Sequence, residues 1–126
     1  MSLFEQRVSK EAFIAPMRYQ TKQLAVRAIR LFRKLPPTQE ARVVGKQFLR
    51  SATSTGANYP AACRARSEAE YFAKLSITIE EADERSFWLK LLDEASILPA
   101  VRLKALHADF LEVVSILSKA RKTTKA

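Results

Sequence analysis

Apolar residues recur at helical spacing in four segments of the chain, and short breaks separate these segments. In the first segment, residues 17–35, the apolar stripe is formed by Leu24, Ala28, Leu31 and Leu35. Apolar positions three or four residues apart indicate an amphipathic α-helix. Pro36 and Pro37 follow at once and stop the helix, because proline has no backbone N–H to donate.

The second segment begins at Thr38, a residue type suited to cap a helix N-terminus. Its apolar stripe consists of Val43, Val44, Phe48 and Leu49. The segment then enters a run of small and hydroxyl-bearing residues, SATSTGANYPAAC, which contains Gly56 and Pro60. Because Pro60 removes one backbone donor, we predict that the second helix is loosened or kinked here.

The third segment opens with a capping box, Ser67 followed by Glu70, and predicts a long helix from residue 68 to about residue 96. One side carries Tyr71, Leu75, Ala82, Ser86 and Leu89. A second apolar group, on roughly the opposite side, consists of Ile77, Trp88 and Leu91. A helix that is apolar on two sides must bury both. We therefore predict a subunit interface at the second group; the alternative is an exposed tryptophan without a role.

The fourth segment follows Pro99, and its stripe consists of Val101, Leu106, Phe110, Val113, Val114 and Leu117. Short connections between helices favour antiparallel neighbours. The predicted fold is all-α, an antiparallel up-down four-helix bundle with a kinked second helix. It covers residues 17–120, with an N-terminal arm or short helix at residues 1–16 and a basic tail at residues 121–126.

The charge is distributed unevenly along the chain. The net charge is +9, yet residues 67–98 carry eight acidic and three basic side chains, whereas residues 1–66 carry 13 basic and three acidic ones. The third helix is therefore an acidic element in a basic protein, suited to pair with basic neighbours within the chain or between copies.

The first helix carries no acidic residue opposite its apolar stripe. This face consists of Arg18, Lys22, Arg27, Arg30, Arg33 and Lys34. We predict that these residues contact a nucleic-acid backbone, together with Lys119, Arg121 and Lys122 near the C-terminus. The alternatives are an ordinary solvated face and a docking surface for an acidic protein partner. A membrane surface is disfavoured, because the core needs the apolar face of this helix.

The sequence offers no constellation of catalytic or metal-binding residues. His107 is the single histidine and has no evident partner, so we expect it at a helix surface or boundary. Cys63 is the single cysteine and lacks a Cys-x-x-Cys context, which predicts a small packed thiol. We predict no enzymatic activity, no metal and no cofactor. The N-terminus lacks the features of a secretory signal, so we expect a cytoplasmic protein.

The stretch from residue 50 to residue 92 resembles the signature of the bacterial four helix bundle protein family, also called the 23S rRNA-intervening-sequence protein family. The matching residues are Arg50, Ser51, Thr53, Ser54, Gly56, Ala57, Asn58, Tyr59, Ser67, Phe72, Lys74, Leu75, Ile77, Glu81, Ala82, Glu84, Trp88 and Leu89. Thr55 and the pair Pro60-Ala61 depart from the family pattern, which usually has Ile and Arg-Glu there.

The resemblance implies a four-helix bundle that assembles as a ring-shaped homopentamer. It also implies a relation to the basic pentameric accessory protein of diversity-generating retroelements, which binds nucleic acid and a reverse transcriptase. No enzymatic activity is implied. The expected function is a non-catalytic, oligomeric protein that binds RNA or DNA. The alternative is an interaction scaffold or accessory subunit, for example of a reverse transcriptase.

Overall fold

The computed structural model describes residues 3–122, with side chains described from residue 16 onward. It contains four helices, α1 (Leu3–Arg33), α2 (Gln39–Cys63), α3 (Glu68–Glu94) and α4 (Ala100–Lys122). Residues 3–122 contain no β-strand, so the predicted all-α class is confirmed. Residues 123–126, which belong to the predicted basic tail, lie outside the described residues.

The start of the first helix differs from the prediction. Pro16 was expected to end an N-terminal arm or short helix, but α1 continues through it from Leu3 to Arg33. Proline removes a single N–H group, and the carbonyl one turn earlier loses its usual partner. The neighbouring turns keep their own hydrogen bonds, so this one loss does not end the helix.

Helices that follow one another in the chain pack side by side, and α4 closes the bundle against α1. Gly56, late in α2, lies against Thr21 of α1, whereas Gly45, early in α2, lies against Phe32 near the end of α1. These contacts favour the predicted up-down order, which itself stays a prediction. Four helices packed in this cycle form a four-helix bundle.

The core is built from the predicted stripes. Its fully buried large side chains include Phe48, Tyr59, Leu75, Leu89, Leu92, Phe110 and Leu117. Two predicted core positions lie elsewhere, because Val43 and Val101 are exposed. Each lies two residues from a buried position of its helix, Ala41 or Leu103, and so faces away from the core, because two residues turn an α-helix by about 200°.

The run of small residues in α2 is helical throughout, up to Cys63. Thr55 Oγ1 donates a hydrogen bond to the carbonyl of Ser51 at 2.9 Å, and Ser51 Oγ donates to the carbonyl of Phe48 at 3.0 Å. Each buried hydroxyl is thus satisfied by its own helix. Small side chains here allow α1 and α2 to approach closely. The kink stays a prediction.

Both predicted helix N-termini are confirmed. The Thr38 side chain accepts a hydrogen bond from the N–H of Ala41 at 3.3 Å. Ser67 Oγ accepts from the N–H of Glu70 at 3.1 Å, while Glu70 Oε2 accepts from the N–H of Arg66 at 3.1 Å. The glutamate of this capping box therefore reaches one residue further back than in the usual motif.

Helix α3 ends in a tight turn that fixes the approach of α4. Ser96 has a φ of 56°, in the left-handed region, and the N–H of Ile97 donates to the carbonyl of Leu92 at 2.9 Å. This bond, with a left-handed residue just past the helix, is a Schellman motif. The turn carries the chain directly into Pro99 and α4.

Candidate nucleic-acid interface

The basic face predicted on α1 is mostly open to solvent. Arg18, Lys22, Arg30, Arg33 and Lys34 are all exposed. Within residues 16–122, none of these five side chains forms an ion pair. Their charges are therefore available to an external anion, and they follow the outer side of α1.

Arg27 has a different role. Its Nη1 atom donates to Asp109 Oδ2 of α4 at 2.5 Å, so its charge is already paired. The pair lies in a groove of about 220 Å³ between α1 and α4, which Tyr19 and Glu112 also line. The predicted contact of Arg27 with phosphate therefore competes with an internal ion pair.

The predicted basic residues of α4 lie near the start of the described part of α1. Tyr19 shares the groove with Glu112 and Val113, which places the following turns of α4 beside residues 16–18. Lys119 and Lys122 are exposed there. Arg121 is partly buried, and its Nη1 atom donates to Ser76 Oγ of α3 at 3.4 Å.

Two arginines that were not predicted as site residues lie at the same end of the bundle. Arg64 and Arg66 lie in the connection between α2 and α3, and both are exposed. Burial and the neighbouring Cys63 raise the pKa of Tyr59 well above its ordinary value, whereas the charge of Arg18 acts to lower it. Gly56 of α2 lies against Thr21, which places Arg18, about one turn earlier in α1, near the end of α2. The sequence does contain a signal for these two arginines, because they stand together in the run Cys-Arg-Ala-Arg-Ser, whose serine caps α3.

We name this part of the surface the basic end. It comprises residues 16–22, 57–74 and 115–122, which together carry eight basic and two acidic residues. The basic residues are Arg18, Lys22, Arg64, Arg66, Lys74, Lys119, Arg121 and Lys122. Lys74 is paired with Glu70 at 3.1 Å. Arg30, Arg33 and Lys34 lie at the opposite end of α1 and extend the positive charge along the bundle.

The acidic residues of α3 are partly neutralised by α2. Arg50 of α2 pairs with Glu84, and its Nη1 atom lies 3.7 Å from Glu81 Oε2. Trp88 Nε1 also donates to Glu84 Oε1, at 3.3 Å. The expectation that the acidic helix pairs with a basic neighbour within the chain is confirmed. The contacts also order a Trp–Glu–Arg cluster on the outer side of α2 and α3.

The second apolar group on α3 has mixed exposure. Ile77 is 48% exposed, whereas Leu91 and Trp88 are partly buried, and Trp88 packs against the core. Phe87, which the sequence analysis did not include, is 54% exposed and makes an edge contact with Trp88, with ring centroids 4.9 Å apart. The apolar surface thus extends further around α3 than predicted.

The most buried charge in the described structure was not predicted from the sequence either. Arg85 is fully buried and its guanidinium lies 3.8 Å from the ring centroid of Phe110. Ser86, its neighbour, was assigned to the core stripe instead and is only partly buried. An arginine in the middle of a charged run, Asp-Glu-Arg-Ser, gives no sequence signal of burial.

Comparison with known proteins identifies the family. A family profile described as 23S rRNA-intervening sequence protein matches residues 17–119. The chain belongs to this family. No protein with a curated description matches it. A crystal structure of a protein of unknown function from the S23 ribosomal protein family, from Bacteroides thetaiotaomicron, is 33% identical, with a TM-score of 0.81. The similarity covers 87% of this chain and 98% of the other.

The match takes in the C-terminal half of α1, all of α2 and α3 and nearly all of α4, and it leaves out residues 1–16. In the described part of the chain, no three acidic, histidine or cysteine side chains are arranged to hold a metal ion. No described helix is long and apolar enough to cross a membrane. Cys63 is partly buried and packs against the core, as predicted for a small packed thiol.

Proposed function

We propose that this member of the 23S rRNA-intervening sequence protein family is a non-catalytic protein that binds RNA or DNA through the phosphate backbone. The observation that supports this proposal is the basic end. Side chains from α1, from the α2–α3 connection and from α4 converge there, with eight positive charges and two negative ones. Convergent cations from separate elements favour a polyanion, because each released counterion adds to the affinity.

Such contacts position a nucleic acid without reading its sequence. Lysine and arginine bind phosphate oxygens, which are the same in every nucleotide. The exposed residues Arg30, Arg33 and Lys34 continue the charge along α1, so an extended strand or duplex could follow the helix. The family description, which refers to an intervening sequence of 23S rRNA, agrees with a nucleic-acid partner.

We also propose that the protein functions as a homo-oligomer, with the pentamer implied by the resemblance as the expected state. Ile77 and Phe87 expose large apolar side chains on the outer side of α3, and Val43 of α2 is exposed as well. A contiguous apolar patch is typical of a surface that another subunit covers, and the contact between Phe87 and Trp88 joins two of the apolar side chains on α3. A ring of subunits would repeat the basic end and strengthen binding by multivalency.

A protein-interaction scaffold is the second candidate function. In that case the basic end docks an acidic protein, for example a reverse transcriptase to which this protein is an accessory subunit. The same exposed cations support both candidates, because a cluster of carboxylates and a row of phosphates attract them alike. The two candidates differ in the expected partner. The first predicts salt-dependent binding of RNA or DNA, and the second predicts binding of an acidic protein.

The test measures binding of fluorescently labelled single-stranded RNA and duplex DNA over a series of salt concentrations. We expect the logarithm of affinity to fall linearly with the logarithm of salt. The double variant Arg64→Gln/Arg66→Gln should reduce this slope by about two units on duplex DNA, since each phosphate contact contributes about 0.9. The control Arg42→Gln/Arg102→Gln removes the same charge from exposed positions at the opposite end and should leave the slope unchanged.

An equal reduction of the salt slope in both double variants would contradict a specific role of the basic end, because net charge alone would then explain binding. Absence of binding at low salt would overturn the nucleic-acid proposal. Recovery of one stoichiometric acidic protein, with binding lost in Arg64→Gln/Arg66→Gln, would support the scaffold instead.

A further inference from the structure

A cleft lies between the last turns of α3 and the first turns of α4, at the end of the bundle opposite the basic end. Its volume is about 380 Å³, within the range of roughly 300–1,000 Å³ that small-molecule sites occupy. Leu89 and Leu103 contribute apolar walls, and His107 lies at its side. The lining also includes two lysines, Lys90 and Lys104, against one acid, Asp93.

The neighbouring buried arginine fixes the protonation state of His107. Arg85 Nη1 lies 3.3 Å from His107 Nδ1. A guanidinium can only donate hydrogen bonds, so Nδ1 must be the acceptor and the proton of the neutral ring must be on Nε2. Burial and the charges of Arg85 and Lys90 lower the pKa of His107, which keeps the ring neutral at physiological pH. Because Nδ1 faces the buried arginine, the Nε2–H edge points away from Arg85, and His107 is one of the residues that line the cleft.

The electrostatic field of the cleft is positive. Arg85 is fully buried, and its Nε and Nη2 atoms have no hydrogen-bond acceptor among the residues that the structure describes. Burial lowers its pKa only to about 9, so the guanidinium keeps its charge at neutral pH. Asp83 attracts the guanidinium and acts to raise its pKa, but Arg85 forms no ion pair within residues 16–122, and a buried charge without such a partner is costly and raises the potential around it. Lys90 and Lys104 are exposed at the cleft and take part in no ion pair within residues 16–122.

We propose that this cleft is a binding site for a small monocarboxylate with an apolar body. The carboxylate accepts a hydrogen bond from His107 Nε2–H and one from Lys104, which stands one turn earlier on α4, while the apolar body packs on Leu89 and Leu103. A single negative charge fits better than a phosphate dianion, because Asp93 stands in the same lining and repels a second charge. The site does not depend on nucleic-acid binding, since none of its residues belongs to the basic end.

The test uses His107 as a spectroscopic probe, because it is the single histidine in the chain. Long-range ¹H–¹⁵N NMR spectra of the full protein distinguish the two neutral tautomers. We expect the Nε2–H form and a saturable shift of the ring signals on titration with hexanoate. Hexanamide has a similar size and shape but no charge, and it should cause little change. An Nδ1–H tautomer, or equal binding of acid and amide, would overturn the proposal.

Two variants separate the contributions of Lys104 and Arg85 to hexanoate binding. Lys104→Gln changes an exposed side chain and should weaken hexanoate binding by about tenfold, the effect expected for loss of a charge-assisted hydrogen bond. Arg85→Met should weaken binding and also release the tautomer, giving a mixture of Nε2–H and Nδ1–H forms. The control Lys119→Gln removes one charge from the basic end and should leave hexanoate affinity unchanged. Equal affinity of wild type and both cleft variants would overturn the site.

Discussion

At the scale of single residues, the buried Arg85 is hard to explain as a contribution to stability. Its guanidinium gains a contact with the Phe110 ring and one hydrogen bond to His107. Two other donor atoms find no acceptor in the described structure. Desolvation of a buried cation costs several kcal/mol, and a single cation–π contact recovers about 2 kcal/mol of it. The buried guanidinium therefore lowers the free energy of unfolding, and a function explains its presence better than stability does.

Arg85→Met should increase the free energy of unfolding by roughly 1–2 kcal/mol, because methionine fills a similar volume without a charge to desolvate. Urea denaturation followed by circular dichroism measures this change. The control Arg30→Met replaces an exposed arginine and should stay within about 0.5 kcal/mol of wild type. A clear loss of stability in Arg85→Met would show that the buried guanidinium holds the core together.

His107 should make the protein less stable as the pH falls. Its pKa in the folded protein is lowered from 6.5 by burial and by Arg85 and Lys90. The unfolded chain therefore binds a proton at a higher pH than the folded one, and stability is lost as the pH drops below about 6.5. Asp93 and Lys104 share the cleft and add opposing charges. Denaturation midpoints between pH 7.5 and pH 5.5 should fall more in wild type than in His107→Gln; equal slopes would contradict the prediction.

At the scale of helices, the close approach of α1 and α2 depends on small residues in α2. A Cβ atom at Gly56 would lie 3.2 Å from the Ala25 Cβ and 3.2 Å from the Thr21 carbonyl oxygen. These are tight contacts, and one of them is with backbone that cannot rotate away. At Gly45 the tightest contact, 2.2 Å, is instead with the end of the flexible Leu35 side chain. The two glycines therefore differ in what a larger residue would displace.

Gly56→Val should lower the free energy of unfolding by about 1–3 kcal/mol, the usual cost of overpacking, because α1 must move away from α2. Gly45→Ala should cost less, since the Leu35 side chain can change rotamer and alanine favours the helix. Thermal unfolding of both variants measures the difference. The explanation fails if Gly45→Ala proves the more damaging of the two.

At the scale of the whole molecule, the fold separates surfaces of different chemistry. The basic end gathers residues from three parts of the chain, the cleft beside His107 lies at the other end, and the exposed apolar side chains lie on the outer side of α3. The acidic residues of α3 are partly neutralised by Arg50, so they weaken the positive field less than their number suggests. Nucleic-acid binding and assembly can therefore use different surfaces.

Trp88→Glu should convert the proposed oligomer to monomers, because it places a carboxylate in the apolar surface and next to Glu84. Light scattering on the purified wild type and variant measures the mass, and absorbance at 260 nm reports any nucleic acid that copurifies. Since Trp88 also packs against the core, Ile77→Glu serves as a second variant at an exposed position. A wild-type mass of one 14.3 kDa chain would contradict the interface.

Much of the fold could be predicted because its determinants are local. The period of the apolar stripes, the caps at Thr38 and Ser67 and the stop at Pro36 each act within one or two turns of helix. The family signature, which spans α2 and α3, could be read from the sequence in the same way. The continuation of α1 through Pro16 was not predicted, because a proline breaks one hydrogen bond and the surrounding helix decides whether that loss ends the helix.

The sequence by itself determined the helices, the all-α class and the excess of positive charge. Only the tertiary structure decided which charges act together: it gathered Arg18, Arg64 and Arg66 at one end of the bundle, paired Arg27 with Asp109, and buried Arg85 against Phe110 and His107. Local patterns depend on the repeat of one helix, which the sequence displays directly. The environment of a charge depends on neighbours from distant parts of the chain, and these are fixed only when the helices pack.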